Sequence, residues 1–200
     1  FDFVSWDLNS NKNITPKLQS IDVFIHLAGM TASSSSGYCA ELKRVNVDAS
    51  LSLARQCALA GIKRFIFMSS IKVNGEQTSL GKPFTALDIP APEDAYGHSK
   101  WEAEKGLMLI ARETGMEVVF IRPPLVYGPG VKGNFATLMK FVQQGIPLPF
   151  GATNNRRSLV SLHNLIDLVV TCINHPKAAN QVFLAGDGRD LSTADLLRGV

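Results

Sequence analysis

The chain lacks several features whose presence would settle its class at once. It has no Cys-x-x-Cys pair and no histidine pair at metal-binding spacing, and its three cysteines, Cys39, Cys57 and Cys172, stand far apart. A structural zinc or a disulfide framework is therefore not expected, no metal site is assigned, and the scattered thiols fit a reducing cytoplasm. No apolar run reaches the roughly eighteen residues of a membrane span. Phe1 to Leu8 has neither the charged start nor the length of a secretory leader, so the reading is a soluble, cytoplasmic chain with no membrane partner. No lysine- or arginine-rich run interleaves with aromatics, and the formal charge is only +3, so a nucleic-acid partner is not indicated. Internal repeats and low-complexity linkers are also missing. What is present, 200 residues of which 46% are hydrophobic, is enough for a real core in one large domain or one and a half small ones.

The apolar pattern alternates between two periods. Asp22 to Gly29 and Lys63 to Ser70 are near-continuous apolar runs, as expected of strands buried on both faces. Glu117 to Arg122 is another, stopped by Pro123-Pro124. Between them, Leu42, Val45, Ala49, Leu53, Cys57 and Ala60 recur at helical spacing and stop at Gly61. A second helix carries Ala103, Leu107 and Ile110 inward and stops at Gly115. Phe1 to Trp6 reads as a strand and Ile14 to Ser20 as a short helix with Pro16 at its first position. Strand and helix alternate throughout, which predicts an α/β, doubly wound parallel sheet of Rossmann type. Beyond Gly130 the elements shorten: a helix over about 134–144, a strand near 158–161, a helix over about 164–174, a strand at 181–185 and a helix opening at Ser192. Residues 1–125 and 126–200 are accordingly expected to form a main domain and a smaller lobe.

Tyr96-Gly97-His98-Ser99-Lys100 carries the chemistry. Four residues apart on a helix, Tyr96 and Lys100 share a face. An ammonium beside a phenol favours the phenolate, which can take a proton from a sugar hydroxyl or small alcohol while hydride leaves the carbon beneath it. Ser70, closing an apolar strand, supplies a second hydrogen bond to the same oxygen. Alone, the Tyr-x-x-x-Lys spacing describes many exposed helices. His26 on its apolar strand reads as a satisfied core histidine, His98 points away from Tyr96, and His163 is given no chemistry.

Taken in order, Asp7-Leu8, His26-Leu27-Ala28-Gly29, Asn46, Phe67-Met68-Ser69-Ser70 with Val73-Asn74-Gly75, Tyr96 to Lys100, Arg122 to Gly130 and Arg156 to Val160 form a series. Together they resemble the extended short-chain dehydrogenase/reductases, the NAD-dependent epimerase/dehydratase group acting on nucleotide sugars, over nearly the whole chain. The resemblance implies Ser70, Tyr96 and Lys100 as catalytic, with Tyr96 the base. It implies cofactor contacts at Asp7, Leu8, Leu27, Ala28, Gly29, Asn46, Ser69, Tyr96, Lys100 and Pro123. Substrate contacts fall to Ser70, Asn134 and Arg157. The implied cofactor is NAD, with NADP open, the substrate a nucleotide sugar linked to UDP, and the assembly a homodimer through the helix after Leu42 and the Tyr96 helix.

Two departures refine this. The Gly-x-x-Gly-x-x-Gly turn that cradles a pyrophosphate is absent, so the first strand-helix-strand unit is expected to lie outside these residues. The small lobe is likewise expected to be incomplete, and the 200 residues alone to bind NAD poorly. Ile71 and Lys72 stand where sugar 4,6-dehydratases of the resembled group carry an Asp-Glu pair, which disfavours dehydration. A nucleotide-sugar 4-epimerase or 4-ketoreductase remains, acting on a UDP-hexose or UDP-N-acetylhexosamine. A non-catalytic binding or regulatory relative, or a reductase of a small carbonyl compound, are the competing readings.

Overall fold

The computed structural model describes residues 13–31, 38–79, 81–130, 140, 144 and 155–198. Four strands, β1 (Val23–His26), β2 (Arg64–Met68), β3 (Glu117–Arg122) and β6 (Gln181–Leu184), lie side by side in that order, all parallel. The expected Rossmann-type sheet is thus present. The strand expected at Phe1 to Trp6 falls outside the described residues.

The crossover from β1 to β2 is made of α1 (Tyr38–Leu42), a wide π-type segment (Lys43–Asp48) and α2 (Ala49–Leu59), where the sequence suggests one continuous helix. A π turn takes in one extra residue, so neighbours that an α-helix would point apart can both face inward. Asn46 and Val47 are both buried here. The chain then turns through Gly61, whose φ of 82° is left-handed, as its capping role requires. The crossover from β2 to β3 ends in α3 (Ala95–Thr114), closed by Gly115 at φ 76°. Near the start of the described chain, the expected helix at Ile14 to Ser20 is one 3-10 turn, Thr15–Lys17 with Pro16 in its first turn, and Ser20 already has a positive φ of 68°.

Alternating residues of β2 and β3 point to opposite faces, and both sets are buried. Phe65, Phe67, Val118 and Phe120 pack with Leu53, Ala54 and Cys57 of α2 and with Ala103, Leu107 and Ile110 of α3. Arg64, at the opposite end of β2 from Met68, is itself buried. Its guanidinium pairs with Glu117 and donates to the carbonyls of Cys172, Ile173 and His175, closing the end of α4 (Leu162–Asn174). The Cys172 and Ile173 carbonyls, in the last turn, have no partner further along the helix, so an arginine is a natural cap.

Two compact units emerge, Phe1–Arg122 with Thr171–Leu184, and Pro123–Val170 with Ala185–Val200. This corrects the simple division at residue 125. β6, assigned to the small lobe from sequence, bonds to β3 and completes the main sheet. Its apolar residues find a parallel partner there, and Asn180, in the left-handed region at φ 58°, accepts from the Val118 amide as the chain enters the strand. In the second unit β4 (Leu125–Tyr127) pairs in parallel with β5 (Leu159–Ser161). The Asp187 carboxylate gathers the Tyr127 hydroxyl, the Ser161 amide and the Asn164 amide group. A final helix, α5 (Thr193–Arg198), opens at Ser192, whose hydroxyl exchanges bonds with Asp195. The helix expected over 134–144 falls almost wholly outside the described residues. No helix among the described residues is long and apolar enough to cross a membrane.

Leu107 is fully buried in the cluster between α2, α3 and the sheet. Leu107→Ala is expected to cost about 3 kcal/mol, the middle of the range for such cavities. In urea titrations this would appear as a lower midpoint with an unchanged slope.

Candidate active site

The site is built where β2 ends and α3 begins. Ser70 leaves the strand in an extended conformation, and its hydroxyl accepts from the Lys72 amide at 3.3 Å, capping the 3-10 turn Ile71–Val73. That turn lies directly on the first turn of α3. A methyl group added at Gly97 would come 2.7 Å from the Lys72 carbonyl oxygen, a backbone atom with little freedom to retreat. Glycine is therefore required for the two backbones to meet, and their meeting brings the Ser70 hydroxyl near enough to the Tyr96 phenol to favour its ionised form. The helix start is fixed from both sides. Asp94 accepts from the Gly97 amide at 2.6 Å through one oxygen and from Lys72 Nζ at 2.5 Å through the other. Lys72 also pairs with Glu76.

Lys100 lies one turn beyond Tyr96 and is almost wholly buried. Its ammonium donates to the Met68 carbonyl at 2.9 Å and sits 4.7 Å from the centre of the Phe67 ring and 6.0 Å from that of Tyr96. Burial lowers its pKa to about 8, and the negative charge of Glu104 opposes the shift. The ammonium form still prevails at neutral pH.

The Tyr96 hydroxyl departs from expectation. Burial first, then the charge of Asp94 and the neighbourhood of Tyr38, hold it above its ordinary value, while the Ser70 hydrogen bond and Lys72 act in the opposite sense. Lys100 faces the ring and the Met68 carbonyl, so in this arrangement it does not produce the lowered phenol that the four-residue spacing suggests.

Behind Lys100, Asn46 binds the chain after β1. Its oxygen accepts from the Met30 amide at 2.7 Å, and its nitrogen donates to the Met30 carbonyl and to Ser99 Oγ, each at 3.0 Å. The Gly29 backbone is thereby held so close that a methyl group there would stand 3.0 Å from Lys100 Nζ and 3.2 Å from Asn46 Oδ1. Leu27, Ala28 and Gly29 are exposed at this strand end, a surface of small residues that a flat ligand could approach. His26 donates or accepts at 2.8 Å with Ser50 and packs against Phe65 and Phe67, as expected of a core histidine with a partner. His98 and His163 are exposed. Among the described residues no three ligating side chains cluster as a metal site would need.

Of the residues singled out from sequence, Gly29, Asn46, Ser70, Tyr96 and Lys100 converge here. Ser69 is adjacent, but its hydroxyl donates to Glu104 at 2.5 Å, so that group holds the scaffold and is not free for a cofactor. Pro123 is half-buried in the second unit. Arg156 and Arg157 are exposed there, Arg157 bridged to Leu191 through backbone bonds of 2.9 and 3.0 Å. Asp7, Leu8 and Asn134 lie outside the described residues. Sequence reasoning missed Glu104 and Arg122, a buried ion pair, with Asn74 bonded to Arg122 at 2.9 Å. The available signal was a carboxylate one turn past Lys100, next to Ala103 on an inward helix face.

Comparisons with known proteins bear on this arrangement. The profile of the NAD dependent epimerase/dehydratase family matches residues 2–186. A UDP-glucose 4-epimerase of Vibrio cholerae is 53% identical over 196 residues, covering 96% of this chain and 60% of that protein. The chain thus spans about three fifths of that relative's length. The crystal structure of a UDP-glucose 4-epimerase from Thermotoga maritima with UDP-glucose superposes with a TM-score of 0.82 at 25% identity, covering 96% of this chain and 65% of that one. A UDP-glucuronic acid 4-epimerase variant from Bacillus cereus, in complex with a fluorinated UDP-sugar and NAD, shares the fold with a TM-score of 0.85 at 23% identity, over 98% and 63% of the two chains.

The site also leaves a mark on stability. Burial and the charge of Lys100 lower the His26 pKa from 6.5 to about 4, so the unfolded chain binds more protons between those values. Stability contributed by neutral His26 is present above pH 6.5 and drains away as pH falls towards 4, by up to about 3 kcal/mol. Urea unfolding at a series of pH values should show this slope, and His26→Gln should flatten it.

Proposed function

The chain belongs to the NAD dependent epimerase/dehydratase family, and on that premise we propose that it is the hydride-transfer part of a nucleotide-sugar 4-epimerase. The proposed substrate is a UDP-hexose or UDP-N-acetylhexosamine. The observation that carries the reading is the gathering of Ser70, Tyr96 and the buried Lys100 ammonium where β2 ends and α3 begins, with Ser70 near enough to the phenol to favour its ionised form. A binding module has no use for a phenol and an ammonium removed from water at the same place.

The residues present suit a nicotinamide cofactor. Gly29 leaves open the space a side chain would fill beside Lys100 and Asn46, and Leu27 and Ala28 expose the same strand end. When bound, NAD supplies the acceptor and donor of hydride at the sugar C4. In its phenolate form Tyr96 takes the proton of the 4-hydroxyl at its phenol oxygen and gives it back after the ketone has presented its other face. Ser70 holds the same sugar oxygen and, through its hydrogen bond, favours the phenolate. Lys100 anchors the Met68 carbonyl and supplies the positive charge on that side of the ring. Because the resting phenol is held above its ordinary value, it is protonated at neutral pH and suited to the proton-returning half of the cycle. Ile71 and Lys72, the latter tied up by Asp94 and Glu76, stand where the resembled dehydratases carry an Asp-Glu pair, in keeping with epimerisation over dehydration.

In this reading the unit Phe1–Arg122 with Thr171–Leu184 serves mainly the cofactor and the unit Pro123–Val170 with Ala185–Val200 the nucleotide, with Asn134 and Arg157 as contacts; an arginine suits a diphosphate through its paired donors. We place the protein in the cytoplasm, where its three cysteines, all free, would stay reduced. A homodimer through α2 and α3 is also proposed; Leu59 and Leu109, exposed on those helices, offer apolar surface for it.

In the intact protein with NAD, UDP-glucose and UDP-galactose, or their N-acetylated counterparts, should interconvert. Tyr96→Phe should reduce kcat by about 10²- to 10⁴-fold, the usual contribution of a general acid-base group, with the melting temperature little changed. Retention of most turnover would remove Tyr96 from the mechanism.

A further inference from the structure

The carboxylate of Glu104 is fully buried, bound by Arg122 through both oxygens, with Nε to Oε1 at 2.9 Å and Nη2 to Oε2 at 2.5 Å. Oε1 also accepts from Ser69 Oγ at 2.5 Å. Arg122 is held in turn by Asn74 Oδ1, and the Asn74 amide nitrogen donates to the Thr85 carbonyl. Stability alone gives little reason for such an arrangement, since well-packed apolar side chains often replace a buried ion pair without loss. Its placement gives a better one. Glu104 is one turn past Lys100 on the same helix face, and its bond to Ser69 acts on the residue that precedes Ser70.

We infer that Glu104 is a positioning residue for the Ser70, Tyr96 and Lys100 site: its carboxylate is the counter-charge of the buried Lys100 ammonium and the anchor that holds the end of β2 on α3. Among the described residues the groups facing Lys100 are few. His26 approaches from β1 and is kept neutral, Tyr96 and Glu104 belong to its own helix, and Asn46 and the Met68 carbonyl are uncharged. Among the described residues Glu104 is thus the anion in the immediate surroundings, and its charge opposes the effect of burial on Lys100. Arg122 holds that carboxylate in place through both of its oxygens. The inference rests on the proposed reaction for its kinetic readout only.

The test is Glu104→Gln in the intact protein, with lysine labelled with ¹³C at Cε and the Lys100 signal assigned by its loss in Lys100→Met. In the parent the Lys100 titration is expected at about 8. In the variant it should move to lower pH, and the alkaline limb of kcat for UDP-hexose interconversion should move with it, while KM stays within about twofold. A purely structural role would scale kcat at every pH and leave both midpoints in place, and that result overturns the inference. Because Gln leaves Arg122 buried without a counter-charge and can prevent folding, Glu104→Gln/Arg122→Gln serves as the second variant. A Lys100 midpoint at its parent value in the double variant is equally fatal. If Tyr96→Phe retains turnover, the assigned reaction fails, yet the Lys100 titration still decides the role of Glu104.

Discussion

The approach of two backbones, the turn after Ser70 and the first turn of α3, is the constraint on which the rest of the site depends. Gly97 is the position where they touch, with the Lys72 carbonyl closer than any side chain would allow. Everything chemical follows from that contact: Ser70 reaches Tyr96, Lys72 reaches the Asp94 cap, and Lys100 reaches the Met68 carbonyl. Further along, Glu104, Arg122 and Ser69 tie the same helix to the same strand end. The end of β2 and the helix are therefore joined at two levels, once through backbone contact and once through the Ser69–Glu104 hydrogen bond, while the Glu104–Arg122 pair ties the same helix to β3.

Burial sets the electrostatic character of the site. It pushes His26 and Lys100 down and Tyr96 up, each towards its uncharged form. Against this stand a small number of specific partners. Asp94 is answered by Lys72, Glu104 by Arg122, and the phenol by the Ser70 hydroxyl. A catalytic group poised between opposing influences responds strongly to a bound ligand, because removing or adding one charge nearby changes the balance.

Much of this was legible in the residues. The parallel sheet followed from three apolar runs separated by helical periods, and the two glycine caps lie where the pattern stops, at Gly61 and Gly115. Tyr96 and Lys100 were readable because a four-residue spacing fixes a helix face, and Ser70 because it closes a strand. Other features depended on contacts distant in sequence. That the phenol stands high follows first from its burial and then from Asp94 and Tyr38, none of which a spacing rule connects to Tyr96. The π turn around Asn46 leaves no periodic trace, since a single extra residue looks like noise in an apolar pattern. β6 was assigned to the wrong unit because its pairing with β3 skips all the intervening residues.

That last pairing has a consequence for how the molecule is made. Val118 and Asn180 meet across 62 residues of chain. Closing a loop of that length costs about 4 kcal/mol in chain entropy before any contact rewards it. Among the described strands the fourth is thus the last to be placed, long after its neighbours have emerged in synthesis. Until Gln181 to Leu184 arrive, β3 presents an unpaired parallel edge bearing Val119, Phe120 and Ile121. Such an edge is a template for pairing with another chain, so the interval before β6 docks is when a nascent molecule is most exposed to aggregation.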